Sequence, residues 1–209
     1  MQPLVHVAGV AVPMIEDDVN TDQMAPLQLA RGLKPDYADL LFKRQRRHAN
    51  GTLVPGHVLN QPQFAAPSIL VAGENFGCGS SRESAVWCLA AIGLRCIVAR
   101  SIADIFRENC LQNGMLPIEL DGPEMDALQQ SVVATDGSAS FHVDLEAQSI
   151  RAPDGREYAF VISASDKLRL LEGLDEIGLT MKHEAEIRAW EAKAAVDMPW
   201  LQHARDRRA

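Results

Sequence analysis

The chain has 209 residues, 47% hydrophobic and 23% charged, enough for one domain with a proper core and ordinary for a soluble globular protein. Its net charge of −8 argues against a general nucleic-acid binder, whose surface must be basic to neutralise phosphates. No apolar stretch approaches a membrane span, and residues 1–9 lack the basic start and long apolar run of a signal peptide, so a cytoplasmic protein is expected.

Residues 5–12 are apolar apart from His6 and Gly9 and read as a first strand. The acidic run Glu16-Asp17-Asp18-Val19-Asn20-Thr21-Asp22 follows, with the composition of an Asx-rich turn and a helix cap. Residues 31–50 hold Arg31, Lys34, Lys43, Arg44, Arg46 and Arg47 against only Asp36 and Asp39. Such a basic island in an acidic protein is either a solvated loop or a place where one or two cations meet a carboxylate ligand. Residues 51–67 form a proline-containing connection.

Ile69-Leu70-Val71-Ala72 has the aliphatic, β-branched composition of a buried strand. Gly73, Gly77 and Gly79 then punctuate a polar loop, and Ser80-Ser81-Arg82-Glu83 opens a segment, residues 84–92, of helical composition. The first turn of a helix carries backbone N–H groups without partners and the positive end of the dipole, so a strand, glycine loop and helix start together favour an anion. Arg82 adds a planar fork of donors suited to a carboxylate or phosphate. A serine hydroxyl is a poor base by itself, but N–H groups and a guanidinium aimed at its oxygen would stabilise the alkoxide. The structural alternative is a turn with Ser80 or Ser81 as N-cap. Neither the phosphate loop Gly-x-x-x-x-Gly-Lys-Ser/Thr, nor Gly-x-Gly-x-x-Gly, nor the nucleophile elbow Gly-x-Ser-x-Gly occurs here.

Residues 95–99 make a second buried strand, 101–113 a helix with Ser101 as its cap and Gly114 at its end, and 115–120 a third strand, which gives a parallel βαβαβ core. Residues 141–145 and 158–162 are expected to pair as a hairpin, with Asp154-Gly155 as the turn signal between them. A helix over 165–172 ends at Gly173, residues 183–195 have helical composition, and about 196–209 is a C-terminal extension whose polar, Arg-rich end frays. One domain spanning 1–209 is expected. Cys78, Cys88, Cys96 and Cys110 show no Cys-x-x-Cys pair and no His/Cys metal spacing; they read as reduced thiols, with Cys88 and Cys96 packing as small hydrophobes and Cys78 either packed or reactive. The six histidines are dispersed, as surface or hydrogen-bonded residues are, and no metal site is expected.

Four blocks carry a resemblance. Residues 73–85, Ala103-Asp104-Ile105-Phe106 with Asn113-Gly114-Met115-Leu116-Pro117, Val19-Asn20-Thr21-Asp22, and Gly173-Leu174-Asp175-Glu176-Ile177-Gly178-Leu179-Thr180 together resemble the small subunits of 3-isopropylmalate dehydratase. These correspond to the swivelling C-terminal domain of the aconitase superfamily. The resemblance implies an α/β fold, a single swivelling β/β/α domain with the βαβαβ core and added hairpin. It implies that Ser80 is the general base, with Asp22 beside it to orient groups. Ser81, Arg82 and Gly79 would bind substrate carboxylate, joined by Arg31 or Lys34, while Gly77 and Cys78 shape the loop. It also implies a small hydroxy-dicarboxylic substrate and a separate large subunit that bears a 4Fe–4S cluster. That cluster needs cysteine thiolates at spacings this chain lacks, so no cofactor of its own is expected.

Two departures stand against the family pattern. Ser84 replaces the histidine that usually follows Ser-Ser-Arg-Glu, and residues 31–50 are shorter and more basic. Both leave open a sibling hydro-lyase acting on another methylated or branched malate, or on homoaconitate. A non-catalytic carboxylate- or phosphate-binding module and a thiol-redox protein using Cys78 are the readings from other classes.

Overall fold

The computed structural model describes residues 1–30, 35–79 and 81–200. The chain divides into two compact units, Met1–Gly173 and Leu174–Ala209.

The first unit is built on one mixed sheet. Its strands are β1 (His6–Met14), β2 (Ile69–Ala72), β3 (Cys96–Ala99), β4 (Leu116–Glu119), β5 (Ser140–Asp144), β6 (Ser149–Arg151) and β7 (Glu157–Ala159), in the order β4-β3-β2-β1-β5-β6-β7. β1 is the hinge between two kinds of sheet. Its second half, Ala11–Met14, runs parallel to β2, whereas its first half, His6–Val10, runs antiparallel to β5. All four residues of β2 and of β3 are buried, as strands covered on both faces must be. Their side chains alternate between two cores. Leu70, Ala72, Ile97 and Ala99 point into one, and Ile69, Val71, Cys96 and Val98 into the other. Each fully buried Leu, Ile or Val contributes about 1.5–3 kcal/mol relative to exposure.

The first core is closed by α4 (Ser84–Ala91) and by Phe106 and Cys110 of α5 (Asp104–Gln112); the second is closed by α6 (Gly122–Thr135) and α7 (Ala164–Glu172). The chain β2-α4-β3-α5-β4 is the expected parallel βαβαβ core. Short helices α1 (Thr21–Met24), α2 (Tyr37–Leu40) and α3 (Lys43–Arg46) precede it. The second unit holds α8 (Glu176–Met181), capped by the Asp175 carboxylate, and α9 (Glu184–Asp197).

The structure corrects four expectations. The basic island is not a solvated loop over its described part: Leu40, Leu41 and Phe42 are buried in the first core, and the Arg46 guanidinium donates to the Ala38 and Leu41 carbonyls and to Asn60 Oδ1. Residues 141–145 do not pair with 158–162. Ser149–Arg151 lies between them, and the Asp154-Gly155 turn joins β6 to β7. Ser101 does not cap α5, which starts three residues later; its hydroxyl accepts from the Asn75 N–H instead. Finally, α6 has no counterpart among the expected elements. Asp121 precedes it, Pro123 sits in its first turn, and Met125, Leu128 and Val132 at helical spacing bury its inner face.

Candidate active site

The glycine loop leaves the carboxyl end of β2 and is zipped between two other segments. On one side, Asp18 N–H donates to Glu74 O (2.9 Å), Gly77 N–H to Val19 O (2.8 Å) and Thr21 N–H to Cys78 O (2.9 Å). On the other, Phe76 N–H donates to Ser101 O and Ala103 N–H to Phe76 O, each at 3.0 Å. Side chains add to the zip: Asp17 accepts from Glu74 N–H, and Asn75 Nδ2 donates to Asp18 Oδ1, both at 2.7 Å. The backbone of the loop is therefore paired almost as a strand would be, which orders residues that could otherwise be mobile.

Gly77 is required by this close packing. It has φ +79°, and a Cβ there would lie 2.2 Å from Phe106 Cγ. Phe106 in turn meets Phe76 edge-on at 5.6 Å between ring centroids, so the loop is pinned by an aromatic pair in the first core. Gly79, at φ +99°, faces Asn20 and Thr21 at ordinary contact distance and is exposed.

α1 is short but strongly specified. Asn20 caps it by accepting from Gln23 N–H (2.9 Å), and the Gln23 side chain accepts from Asn20 N–H (2.7 Å) in return, a complete capping box. The box turns Asp22 toward the loop. Arg82 Nη1 donates to Asp22 Oδ1 at 2.5 Å, with the two side chains 37% and 57% exposed. The pair thus stands at an open surface with donors of the guanidinium left over.

Of the residues expected at the site, the structure brings Asp22, Gly77, Cys78, Gly79, Ser81 and Arg82 together. Ser80, Arg31 and Lys34 lie outside the described residues. Ser81 is exposed, and Asn109 Nδ2 donates to its carbonyl (3.3 Å); Asn109, 8% exposed, was not singled out from the sequence, where a polar residue inside a helical segment carries no signal of its own. Ser81 does not cap α4: Glu83 occupies that position, and no side chain among the described residues caps the helix. Ser84 is buried, and its hydroxyl has no hydrogen-bond partner among the described residues. Cys78 is half-buried, with its Sγ 3.4 Å from Asp18 O, whereas Cys88, Cys96 and Cys110 are buried. Burial pushes the Cys88 thiol up to about 12 and raises Cys96 and Cys110 as well. Among the described residues no group of three or more His, Cys, Asp or Glu side chains could hold a metal ion.

A cavity of about 420 Å³ borders α1, lined in part by Met14, Val19, Gln23, Phe42 and His57; neither Asp22 nor Arg82 lines it. Burial and the nearby Arg46 charge hold His57 below its usual pKa, and its Nδ1 accepts from Leu59 N–H.

Comparison with known proteins identifies the family and the fold. Residues 1–123 match the family model of the aconitase C-terminal domain, and residues 176–204 that of the C-terminal domain of 3-isopropylmalate dehydratase small subunits. The 3-isopropylmalate dehydratase small subunit of Parvibaculum lavamentivorans is 47% identical over 195 residues, covering 92% of this chain and 96% of that protein. The one from Dinoroseobacter shibae is 43% identical over 202 residues, 96% of this chain and all of the relative. A crystal structure of a 3-isopropylmalate dehydratase from Methanocaldococcus jannaschii superposes with a TM-score of 0.61 at 24% identity, covering 89% of this chain and 99% of that one, and supports the fold alone. The α/β fold with its parallel core is that of the aconitase C-terminal domain. With such identity over nine-tenths or more of its length, the chain belongs to the family of 3-isopropylmalate dehydratase small subunits.

Proposed function

We propose that this chain is the small subunit of a 3-isopropylmalate dehydratase, a hydro-lyase that interconverts 2-isopropylmalate and 3-isopropylmalate in leucine biosynthesis. The observation that carries the proposal is full-length relatedness to small subunits of that name, joined to the Asp22–Arg82 pair poised at the glycine loop.

In this reading Ser80 Oγ, as the alkoxide, takes the proton from the carbon next to a substrate carboxylate while hydroxide leaves the neighbouring carbon, and a double bond forms between the two. Returning the proton and the hydroxide with exchanged positions completes the isomerisation. Arg82 and the uncapped N–H groups at the start of α4 hold negative charge at the loop, and Arg82 with Ser81 binds a carboxylate. Asp22 fixes the guanidinium so that its remaining donors face one direction. Gly79 lets backbone approach the ligand, Gly77 and Cys78 shape the loop, and Arg31 or Lys34 supplies a second cation for the diacid. A 4Fe–4S cluster in the large subunit would supply a Lewis acid for the departing hydroxyl. The four cysteines give no support to a cluster within this chain: three are buried with thiols held protonated, and thiolates are what a cluster requires. The chain is proposed to work as one swivelling-type domain in the cytoplasm, its pocket completed by the large subunit.

A sibling substrate is the second reading, favoured by Ser84. Its hydroxyl is enclosed without a hydrogen-bond partner among the described residues, and a serine lacks the ring nitrogens that the family's histidine would bring to this position. The test is turnover of the chain reconstituted with an iron–sulfur-loaded large subunit, assayed against a panel of 2- and 3-hydroxy diacids. Highest kcat/KM for the isopropylmalates is expected. A tenfold preference for another methylmalate or for homoaconitate moves the assignment to that diacid, and no turnover with any of them refutes a hydro-lyase.

A further inference from the structure

At the end of the parallel strands opposite the glycine loop, the amino ends of β1, β2 and β3 border an open pocket of about 240 Å³ lined by Pro3, Leu4, His6, Val7, Ala8, Ser68 and Arg95. Its polar groups are held by the strands themselves. The Ser68 carbonyl accepts from both Arg95 N–H (3.0 Å) and Cys96 N–H (3.3 Å), and Ser68 N–H donates to Val10 O (3.0 Å), so Ser68 and Arg95 stand side by side on rigid backbone.

Arg95 is unusual in this molecule. The other buried or half-buried described arginines either pair with a carboxylate, as Arg47, Arg82, Arg100, Arg107 and Arg169 do, or donate to carbonyls, as Arg46 does. Arg95 has no carboxylate partner among the described residues; its Nη1 donates to the amide oxygen of Gln2 (3.2 Å), and its Nε is enclosed without an acceptor among them. The enclosed Nε cannot itself meet a ligand, but a half-buried guanidinium without a counter-charge is stabilised by an anion at its remaining donors. Ser68, which lines the same pocket, adds an O–H donor. His6 adds a ring nitrogen, with its Nδ1 3.6 Å from the Asp144 carboxylate.

We propose that this pocket is a second ligand site, for a small oxyanion held by the Arg95 guanidinium with help from Ser68 and His6. A cation would meet the guanidinium's charge, and an apolar molecule would strip water from the guanidinium and the hydroxyl without replacing their hydrogen bonds. The pocket, about 240 Å³ and open to solvent, has room for inorganic phosphate or a short dicarboxylate. The site lies at the amino ends of the strands whereas the glycine loop follows the carboxyl end of β2, so it is separate from the proposed catalytic pocket.

The test is a residue-resolved NMR titration of the full-length 15N-labelled chain at constant ionic strength, with inorganic phosphate in one arm and malonate in the other. Saturable shifts of the Ser68, Arg95 and Cys96 amides are expected in at least one arm, and which arm saturates identifies the source of the oxyanion. Arg95→Gln should weaken that isotherm at least tenfold, Arg95→Lys less, and Ser68→Ala by a few-fold; Arg95→Lys and Ser68→Ala keep the charge in place should Arg95→Gln fail to fold. Shifts that never saturate, shifts confined to the neighbourhood of Gly79 and Arg82, or an isotherm unchanged in all the variants that fold would overturn the proposal.

Discussion

Arg82 and Asp22 are sixty positions apart in the sequence, yet one guanidinium nitrogen of the first donates to a carboxylate oxygen of the second at 2.5 Å. With side chains 37% and 57% exposed, the pair lies in the range where an ion pair contributes about 0–1 kcal/mol to stability. Its contribution to turnover should be far larger. Arg82→Lys and Asp22→Asn should each lower kcat/KM of the reconstituted complex by on the order of 10²-fold or more, the usual cost of losing an oriented donor at a reacting group. Thermal melts should shift by no more than a few degrees. A large stability loss with turnover per folded molecule preserved would make the pair a structural clasp.

The two glycines of the loop should respond differently to the same substitution. Gly77→Ala places a methyl group 2.2 Å from the Phe106 ring at φ +79°. Adding about 1–3 kcal/mol for overpacking to about 1–2 kcal/mol for the left-handed backbone gives roughly 2–5 kcal/mol. Gly79→Ala meets nothing closer than 3.5 Å, and only the backbone term, about 1–2 kcal/mol, applies. Urea denaturation of both variants checks the order; equal losses would show that the loop gives way around Phe106.

Alkaline pH should unfold the protein through its buried thiols. In the unfolded chain a cysteine titrates near 9.0, whereas burial holds Cys88 at about 12 and raises Cys96 and Cys110 too. Below pH 9 both states keep these protons and the stabilisation is complete. Above it only the unfolded state releases them, so stability falls as pH climbs from about 9 toward 12, by about 1.4 kcal/mol per pH unit for each thiol. Cys96→Ala should flatten the slope measured by urea unfolding between pH 9 and 11 by about that amount per unit. An unchanged slope would mean that the thiolate is accommodated in the fold. Cys78, the half-buried thiol, should be the first of the four to react with a thiol reagent in the native state.

How much of this was legible in the sequence depended on whether a residue's partner was local. Ile69-Leu70-Val71-Ala72 and Cys96-Ile97-Val98-Ala99 announce themselves, because a strand buried on both faces must be apolar throughout. The capping role of the Asn20 region could be read for the same reason. Leu40-Leu41-Phe42 could not: the surrounding charge dominates composition, while burial against the first core decides the structure. Ser149–Arg151 is three residues long with only Ile150 buried, too short to display alternation. The helix Gly122–Thr135 was hidden by Gly122 and Pro123, which read as breakers even though a proline suits the first helical turn. The Asp22–Arg82 contact has no local trace, and only the resemblance placed the two residues at one site.

The most direct measurement concerns the proton acceptor. Wild-type and Ser80→Ala chains, each reconstituted with the same iron–sulfur-loaded large subunit, should assemble equally well by gel filtration, while the variant's turnover of 2-isopropylmalate falls to the level of the large subunit alone. Near-normal turnover in the assembled Ser80→Ala complex would contradict the assignment of the base, and with it the chemical role given to the glycine loop.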